Sequence, residues 1–404
     1  MICGVGMIRG YRRWGWLVLG LAIALLVVLP SSMGSAETGS ADAPDAIAPE
    51  LRGVWLTNID SDVLFSRQNV QQAVQRLQHL HFNTLYPTVW NWGYALYPSA
   101  VAERETGRSI DPHPGLHDRD VLAELVEHGH DAGFAVIPWV EFGLMAPADS
   151  ELVARHPDWV TSRHDGSQIV MEGEHPRVWL NPALPEVRQF LVDLVTELVS
   201  TYDIDGIQFD DHLGLPVELG YDNDSVTRYR DEHNGEDPPR NIHDPEWVRW
   251  RAAHITTLME QIFEAVKAVR SDCLVALAPN PREFAYEMYL QDWWTWERRG
   301  WIEELVVQVY RDNMERFEYE LGQPEIEQVR SHIPLGIGIL TGLRNRPVAM
   351  DLIAEQVRTV RDRQLAGVSF FFYETLGDRD DAFLELFPEP APPPNVFTNW
   401  AAES

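Results

Sequence analysis

The chain has few cysteines and few basic residues for its length. It contains 2 Cys among 404 residues, and 32 Lys+Arg against 62 Asp+Glu give a formal net charge of −30. Two cysteines exclude a disulfide-rich scaffold and a cysteine-rich zinc site, and the histidines lack zinc-motif spacing. The acidic excess argues against nucleic acid or an anionic membrane surface as a partner, because both would repel the chain. No metal and no other cofactor is expected.

The N-terminus has the composition of a targeting segment. Three arginines precede a 16-residue apolar run at 14–29, and small residues follow at 34–36. This pattern predicts a signal peptide over residues 1–36 and export to the periplasm or the extracellular space. The run is short for a membrane-spanning helix, which needs about 20 residues. An uncleaved N-terminal anchor is the alternative, and it would be the chain's one membrane contact.

Composition also divides the rest of the chain. Residues 37–50 are rich in Ala, Asp and Pro and are interpreted as a flexible linker, and the proline-rich start of 388–404 indicates a C-terminal tail. The span between them, 51–387, is long enough for one large domain with a sizeable core. Because residues 1–36 carry three Arg and no acidic residue, the mature chain would have a net charge of −33.

Short apolar runs alternate with amphipathic stretches across 51–387. The runs predict eight strands, at 53–57, 84–90, 134–141, 204–210, 274–280, 305–310, 333–340 and 367–373. The stretches between them predict helices, at 69–80, 119–132, 185–202, 245–269, 315–330 and 347–363. Strands alternating with helices indicate a parallel sheet, and eight repeats indicate a closed (β/α)8 TIM barrel. Long βα loops are expected at 91–117, 142–183 and 211–244.

Side-chain alternation along the strands indicates which residues point into the barrel. The polar face of the fourth strand carries Gln208 and Asp210, and that of the sixth carries Gln308, Tyr310 and Asp312. We expect the apolar faces to meet the helices and the polar faces to look into the barrel mouth. Active sites of TIM barrels lie at this C-terminal end of the strands.

Further polar residues end other predicted strands. Glu141 ends the third strand, Asn280 ends the fifth, and Glu374 follows the eighth. Asp211 points elsewhere than Asp210 or begins the loop, so these adjacent acids are not expected to form a catalytic pair. Glycoside hydrolysis generally needs two carboxyl groups, one as proton donor and one as nucleophile or base, and this rim offers them. For any single acid, solvation or helix capping remains the alternative.

Aromatic and histidine side chains near these strand ends are candidates for substrate binding. Trp90 and Tyr97 follow the second strand, where they either stack on sugar rings or pack the loop against the barrel. His212 either binds substrate or begins the loop. The candidate substrate-binding set is therefore Trp90, Tyr97, Gln208, His212, Asn280, Tyr310 and Asp312.

One segment resembles a known family. The run at 202–212, Tyr-Asp-Ile-Asp-Gly-Ile-Gln-Phe-Asp-Asp-His, closely resembles the strand-four signature of the glycosyl-hydrolase-like 10 family. These are exported bacterial TIM-barrel proteins related to peptidoglycan glycan-strand hydrolases. Other stretches that fit in order are 51–57, 82–85, 95–99, 156–160, 180–182, 185–188 and 308–310. The resemblance covers most of the chain, roughly residues 51–375.

This resemblance implies a (β/α)8 barrel that acts on an extracytoplasmic polysaccharide. It gives the acid role to Asp210 and Asp211, and it places Asn181, Gln208 and Tyr310 in the cleft. The sequence departs from the family pattern at 141–143, 281–284 and 372–374. Glu141 and Glu374, which lie in the first and last of these stretches, are therefore assigned from their strand-end positions alone.

Together these patterns predict an exported glycoside hydrolase that cleaves glycan strands of peptidoglycan or a related polysaccharide. Asp210 would act as nucleophile or base, or would stabilise the transition state. Glu141 is the first candidate for proton donor, ahead of Glu374 and Asp211. The alternative is a non-catalytic glycan-binding protein on a barrel scaffold, because a fold does not fix a function.

Overall fold

The computed structural model describes residues 48–343 and 346–394, and eight parallel strands form its central sheet. The strands are β1 (Leu51–Leu56), β2 (Thr84–Asn91), β3 in two pieces (Ala135–Val136 and Trp139–Val140), β4 (Gly206–Asp210), β5 (Leu274–Ala278), β6 (Glu304–Gln308), β7 (Leu335–Leu340) and β8 (Gly367–Phe371). Each strand pairs in parallel with the next, and β1 pairs with β8. The sheet is therefore the predicted (β/α)8 barrel. β3 is interrupted at Pro138, which has no N–H for the ladder.

Helices connect the strands and cover the outside of the barrel. The described residues contain α1 (Arg67–His79), α2 (Ala100–Thr106), α3 (Val121–Asp131), α4 (Glu151–Arg155), α5 (Pro185–Thr201), α6 (Asn223–Glu232), α7 (Pro245–Val269), α8 (Arg282–Tyr289), α9 (Trp293–Arg298), α10 (Met314–Leu321), α11 (Pro324–Arg330), α12 (Met350–Asp362) and α13 (Asp380–Leu386). The predicted single helix at 315–330 is wrong. Gly322 ends α10 and Pro324 begins α11, because proline suits a first helical turn but breaks a helix interior.

The predicted long loops contain secondary structure of their own. The loop after β3 carries a three-stranded antiparallel sheet of Met145–Pro147, Val170–Glu172 and His175–Trp179. We call its last two strands, with their turn, the β3 hairpin. After β7, Gly342–Leu343 pairs with Arg346–Pro347. These elements stand on the C-terminal face of the barrel, where they can shape a cleft.

Apolar side chains form separate layers outside and inside the sheet. Ile207 and Phe209 of β4 belong to the large outer layer, which packs beneath the helices. Trp55 and Tyr86 belong to a smaller cluster in the barrel interior. Gly53 leaves room for them, because a Cβ at this position would lie 2.7 Å from Cε2 of Tyr86. Large aromatic rings therefore fill the barrel interior, and they lie next to residues such as Gly53 that have little or no side chain.

The barrel interior also holds polar groups that bond to these rings. Trp55 Nε1 donates a hydrogen bond to Gln208 Oε1 at 2.7 Å, and the Tyr86 hydroxyl donates to Glu304 Oε1 at 2.7 Å. Gln208 is completely buried and Glu304 nearly so. Because a buried polar group without a partner is costly, these bonds fix the rings and the polar side chains relative to one another.

The described residues extend slightly beyond the predicted limits of the barrel. Glu50 pairs with Arg52 and Arg361, and Asn83 Nδ2 donates to the carbonyl oxygen of Ala391 at 2.9 Å. The predicted signal peptide (1–36) lies outside the described residues, as do residues 37–47 of the predicted linker and 395–404 of the predicted tail. Within 48–343 and 346–394, none of the helices has the length and apolarity needed to cross a membrane.

The buried carboxyl of Glu304 predicts a pH-dependent contribution to stability. Burial raises the pKa of Glu304 from 4.5 to about 7. A carboxyl whose pKa is higher in the folded state favours folding below its unfolded pKa and loses that contribution as pH rises through its folded pKa. The wild type should therefore lose free energy of unfolding between about pH 5 and about pH 8, and Glu304→Gln should lose less, because glutamine stays neutral.

Urea unfolding at both pH values measures this difference. Glu264→Gln, at an exposed position on α7, is the control and should keep the wild-type pH dependence. If Glu304→Gln and Glu264→Gln show the same change in unfolding free energy between the two pH values, the buried carboxyl does not carry this effect.

Candidate active site

Asp210 is the last residue of β4 and lies at the barrel mouth. In β4, Gln208 pairs with Trp139 of β3, and Asp210 pairs with Ala278 of β5. Because Ile207 lies in the outer layer, the alternate residues Gln208 and Asp210 face inward, which confirms the predicted orientation of this strand. The side chain of Asp210 is almost completely buried.

Donors from two elements hold the carboxylate of Asp210. Trp139 Nε1 donates to Oδ2 at 3.0 Å, and the backbone N–H of His212 donates to Oδ1 at 2.8 Å. Burial raises the pKa of Asp210 to about 6, although the charge and hydrogen bonds of His212 oppose the rise. Asp210 is therefore mostly ionised at neutral pH, and its charge depends on these donors.

Asp211 has a separate set of donors. Asn280 Nδ2 donates to its Oδ2 at 2.9 Å, and Gln308 Nε2 donates to its Oδ1 at 3.0 Å. These amides come from the region after β5 and from the end of β6, whereas the partners of Asp210 come from β3 and from the turn after β4. The two adjacent acids thus face different ways, and Asp211 is the more exposed of the two.

Glu141 follows β3 directly and carries a carboxyl with a strongly shifted pKa. Asn91 Nδ2 donates to its Oε2 at 2.7 Å, and Thr88 Oγ1 lies 3.4 Å from the same oxygen. Burial and the nearby charge of Asp210 raise the pKa of Glu141 to about 8. Glu141 also lines a pocket of about 390 Å³ together with Thr57, Asp60, Phe371 and other residues. A protonated carboxyl therefore faces a space that a ligand could enter.

Tyr310 lies near three carboxylates. Burial, together with the charges of Asp211, Asp210 and Glu141, raises its pKa well above the ordinary value, so its hydroxyl stays protonated. Its ring lies against Phe371 of β8, with 5.7 Å between centroids. Tyr310 therefore lies within electrostatic reach of the acids, and its role in the site stays a prediction.

His212 links Asp210 to the β3 hairpin. Its Nδ1 lies 3.1 Å from Asp210 Oδ1, and its Nε2 lies 3.4 Å from Glu172 Oε1. Burial alone would lower the pKa of His212, but the carboxylates of Asp210, Asp211 and Glu172 outweigh it and raise the pKa well above its ordinary value. A protonated His212 therefore balances the buried charge beside it.

Aromatic stacking holds the β3 hairpin over the barrel mouth. The Arg177 guanidinium carbon lies 4.2 Å from the ring centroid of Trp92 and 5.0 Å from that of Phe142. Arg177 Nε is 3.5 Å from Glu172 Oε2. Because a planar guanidinium stacks well on aromatic rings, this arrangement keeps Glu172 turned toward His212.

Other predicted site residues lie elsewhere. Trp90 is buried and donates through Nε1 to the carbonyl oxygen of Phe142, and Tyr97 is buried with its hydroxyl on Glu197. Asn181 is buried and donates to the side chains of Asp222 and Ser225. Asp312 is exposed beside Asn313 and Arg316. Trp90 meets Glu141 only through the backbone, where the Glu141 N–H donates to the Trp90 carbonyl oxygen at 3.1 Å. None of these four side chains has a hydrogen bond to Asp210, Asp211 or Glu141 among the described contacts. Gln208 lies beneath Asp210 but is sealed in the interior.

Glu374 stands apart from the other carboxylates. It accepts a hydrogen bond from the hydroxyl of Ser61, and burial raises its pKa. It lines a second pocket of about 460 Å³, together with Asp60, Asp62 and Tyr373. The structure therefore places the predicted second-choice proton donor beside the pocket that holds Glu141, rather than within it.

Several residues of this site were not among the sequence-based candidates. The sequence does contain a pattern that could have identified Gln308, because Gln308 shares the polar face of β6 with Tyr310. The same strand pattern could have identified Trp139, because it alternates with Val140 in β3. No sequence pattern could have identified Glu172, since it lies in a loop hairpin 40 residues before His212.

Asp210, Asp211 and His212 form a group that could hold a metal ion. One ligand atom from each lies within 4.8 Å of the others. The carboxylate oxygens already accept hydrogen bonds from side chains that include Trp139 and Asn280. These N–H donors, together with the charge of His212, balance the carboxylates without an ion. We therefore assign no metal role to this group.

Comparisons with known proteins point in the same direction as this geometry. A family model described as Glycosyl hydrolase-like 10 matches residues 50–359. The Glycosyl hydrolase DigH of Escherichia coli K12 is 24% identical over 349 residues, which cover 72% of this chain and 74% of the relative. The Glycosyl hydrolase YngK of Bacillus subtilis is 26% identical over 250 residues, which cover 57% of this chain and 45% of the relative.

Two solved structures share the barrel fold. The glycoside hydrolase domain of PgaB (BpsB) from Bordetella bronchiseptica has a TM-score of 0.66 at 13% identity, covering 86% of this chain and 100% of that one. Alpha-L-fucosidase isoenzyme 2 from Paenibacillus thiaminolyticus has a TM-score of 0.59 at 17% identity, covering 84% and 49%. At these identities the likeness is one of fold.

The contact between Glu172 and His212 predicts a measurable electrostatic effect. Glu172→Gln keeps the size of the side chain but removes its charge, so the pKa of His212 should fall, because one of the carboxylates that favour the imidazolium is lost. An NMR titration of the histidine Cε1–H signals, assigned with His212→Gln, measures this shift.

Glu174→Gln is the matched control. Glu174 is exposed on the same turn and has no hydrogen bond to His212. Its substitution should leave the titration of His212 unchanged. An equal shift in both variants would show that the effect comes from general surface charge and not from the contact with Glu172.

Proposed function

The chain belongs to the glycosyl hydrolase-like 10 family, and we propose that it is an active glycoside hydrolase of extracytoplasmic polysaccharide. The observation that carries this proposal is a pair of carboxyl groups at the C-terminal ends of neighbouring strands, Glu141 just after β3 and Asp210 at the end of β4, in surroundings that separate their pKa values. Two carboxyl groups with different protonation states are what glycoside hydrolysis requires.

Glu141 is suited to donate a proton to the glycosidic oxygen. Since its pKa is raised to about 8, it is mostly protonated at neutral pH. It lines the 390 Å³ pocket, so a substrate can approach it, and Asn91 fixes its orientation. General acid catalysis needs a positioned proton donor with a pKa near the working pH, and Glu141 meets both conditions.

Asp210 supplies a negative charge near this donor. We assign to it the role of nucleophile, base or stabiliser of the oxocarbenium-like transition state. Its burial leaves little surface for a substrate, whereas Asp211 is more open and is held by two amide donors. Asp211 is therefore the alternative for the same role, and the two residues need to be tested side by side.

Peptidoglycan glycan strands are the first substrate class to test. The predicted signal peptide would carry the chain to the compartment that holds cell-wall polysaccharide, and the family resemblance points to glycan strands. Contact with a membrane would arise only through an uncleaved N-terminal segment. The acidic surface disfavours anionic partners, so a glycan with little charge is the better match.

Glycan cleavage should show a bell-shaped pH dependence. The rate should rise near pH 6 as Asp210 ionises and fall near pH 8 as Glu141 loses its proton. Asp210→Asn should leave the fold intact and remove most activity. Glu141→Gln should lower the rate by roughly 10²–10⁴-fold and remove the alkaline limb. Release of new reducing ends from peptidoglycan strands, with and without stem peptides, gives the rates.

Mass analysis of the products separates the outcomes. Asp231→Asn, at an exposed position on α6, should keep the wild-type rate. Asp211→Asn shows which adjacent acid carries the negative charge. Glycan retention without new reducing ends, unaffected by any single carboxylate variant, would instead identify a non-catalytic glycan-binding protein. Cleavage of another polysaccharide alone would overturn the substrate assignment.

A further inference from the structure

We propose that the pocket lined by Glu374 is a separate sugar subsite, which binds a sugar unit without an acidic substituent. We call it the rim pocket, and the residues that matter for its chemistry are Asn58, Asp60, Asp62, Gln72, Tyr373 and Glu374. The proposal rests on the proposed function, because it concerns how a polymeric substrate of that site is held.

The rim pocket lies directly beside the pocket that contains Glu141. Asp60 lines both pockets. The two are also joined through Asn91, whose Nδ2 donates to Asn58 Oδ1 at 2.9 Å and to Glu141 Oε2 at 2.7 Å. One side chain therefore contacts both the proton donor and the wall of the rim pocket. A glycan chain that places one bond at Glu141 can continue into this space.

The rim pocket has the size and position of a ligand subsite. Its volume of about 460 Å³ falls within the range of small-ligand pockets, roughly 300–1,000 Å³. It is built from the loop after β1, the start of α1 and the turn after β8. In a barrel, β1 and β8 are neighbours, so these segments meet on the face where substrates bind.

The chemistry of the wall suits hydroxyl groups and disfavours carboxylates. The wall combines amide and hydroxyl side chains with the aromatic ring of Tyr373. The polar side chains can hydrogen-bond to sugar hydroxyl groups, and the aromatic ring can contact the face of a sugar ring. The acids Asp62 and Glu374 belong to this wall, and its described lining includes no Lys, Arg or His. An acidic substituent would meet repulsion there. In a peptidoglycan strand, where acid-bearing and acid-free sugars alternate, the acid-free sugar would fit.

A pair of matched variants tests the subsite. Gln72 is exposed on α1 and lines the rim pocket, so Gln72→Trp should fill the pocket with little effect on the fold. Gln71→Trp places the same ring at the exposed neighbouring position, which is not part of the lining. The full-length protein is assayed on acid-free amino-sugar oligosaccharides of increasing length.

The expected result is a loss that depends on substrate length. Gln72→Trp should weaken binding of long oligosaccharides about tenfold, the value of one or two lost hydrogen bonds, and leave the shortest bound oligosaccharide unaffected. Gln71→Trp should match the wild type throughout. Calorimetry measures the affinities, and reducing-end release gives KM and kcat for the same series. A Gln72→Trp variant that binds all lengths as the wild type does would overturn the proposal.

A charge variant tests the choice of sugar. Asp62→Asn with Glu374→Gln removes two acids from the wall while keeping its shape. The wild type should bind acid-free oligosaccharides more tightly than oligosaccharides with an acidic substituent on every sugar, and the double variant should lose about fivefold of that preference at low salt. An unchanged preference would overturn the assigned sugar class.

The experiments distinguish a failure of the proposed subsite from a failure of the proposed hydrolase activity. If no reducing ends appear but long oligosaccharides bind with the length dependence described above, the proposed hydrolase activity is wrong and the subsite stands. If cleavage proceeds normally and Gln72→Trp changes neither KM nor affinity at any length, the active site stands and the subsite is wrong.

Discussion

The barrel keeps the charge of Asp210 almost out of contact with water, and the rest of the mouth is arranged around that constraint. A buried carboxylate without partners would cost several kcal/mol, so it needs donors that stay in place. Trp139 and His212 supply them, and they come from β3 and from the turn after β4. Because protonated His212 also contacts Glu172, the β3 hairpin becomes part of the same electrostatic unit.

Glu141 shows what happens when a buried carboxyl lies near another negative charge. Its close donor is Asn91, its other contact with Thr88 is long, and the negative charge of Asp210 lies nearby. Its pKa therefore rises further than that of Asp210. Glu304, deeper in the barrel with a hydrogen bond from Tyr86, is raised by burial. Burial raises the pKa of all three carboxyl groups, and the neighbouring charges then separate Asp210, which lies beside His212, from Glu141, which lies near Asp210.

The sequence predicted the barrel and the position of Asp210 because both depend on local patterns. Strand alternation put Asp210 on the inner face, and helical periodicity gave α7 its observed bounds. The roles of Trp90 and Tyr97 were harder to predict, because no local pattern distinguishes a ring that stacks on sugar from one that packs a loop. In the structure both rings are buried. Glu172 was beyond reach, since its contact with His212 depends on how a long loop folds back over the barrel.

The distribution of charge is compatible with the proposed glycan substrate of an acidic protein. The chain carries a formal net charge of −30, yet the acids around Glu141 and Asp210 are neutralised or shared. Glu141 is protonated, Asp210 is balanced by His212, and Asp211 is held by the amides of Asn280 and Gln308. The mouth is thus less negative than its count of acids suggests. A sugar chain with little charge can enter it without facing a strong local field, while the rest of the surface keeps anionic polymers at a distance.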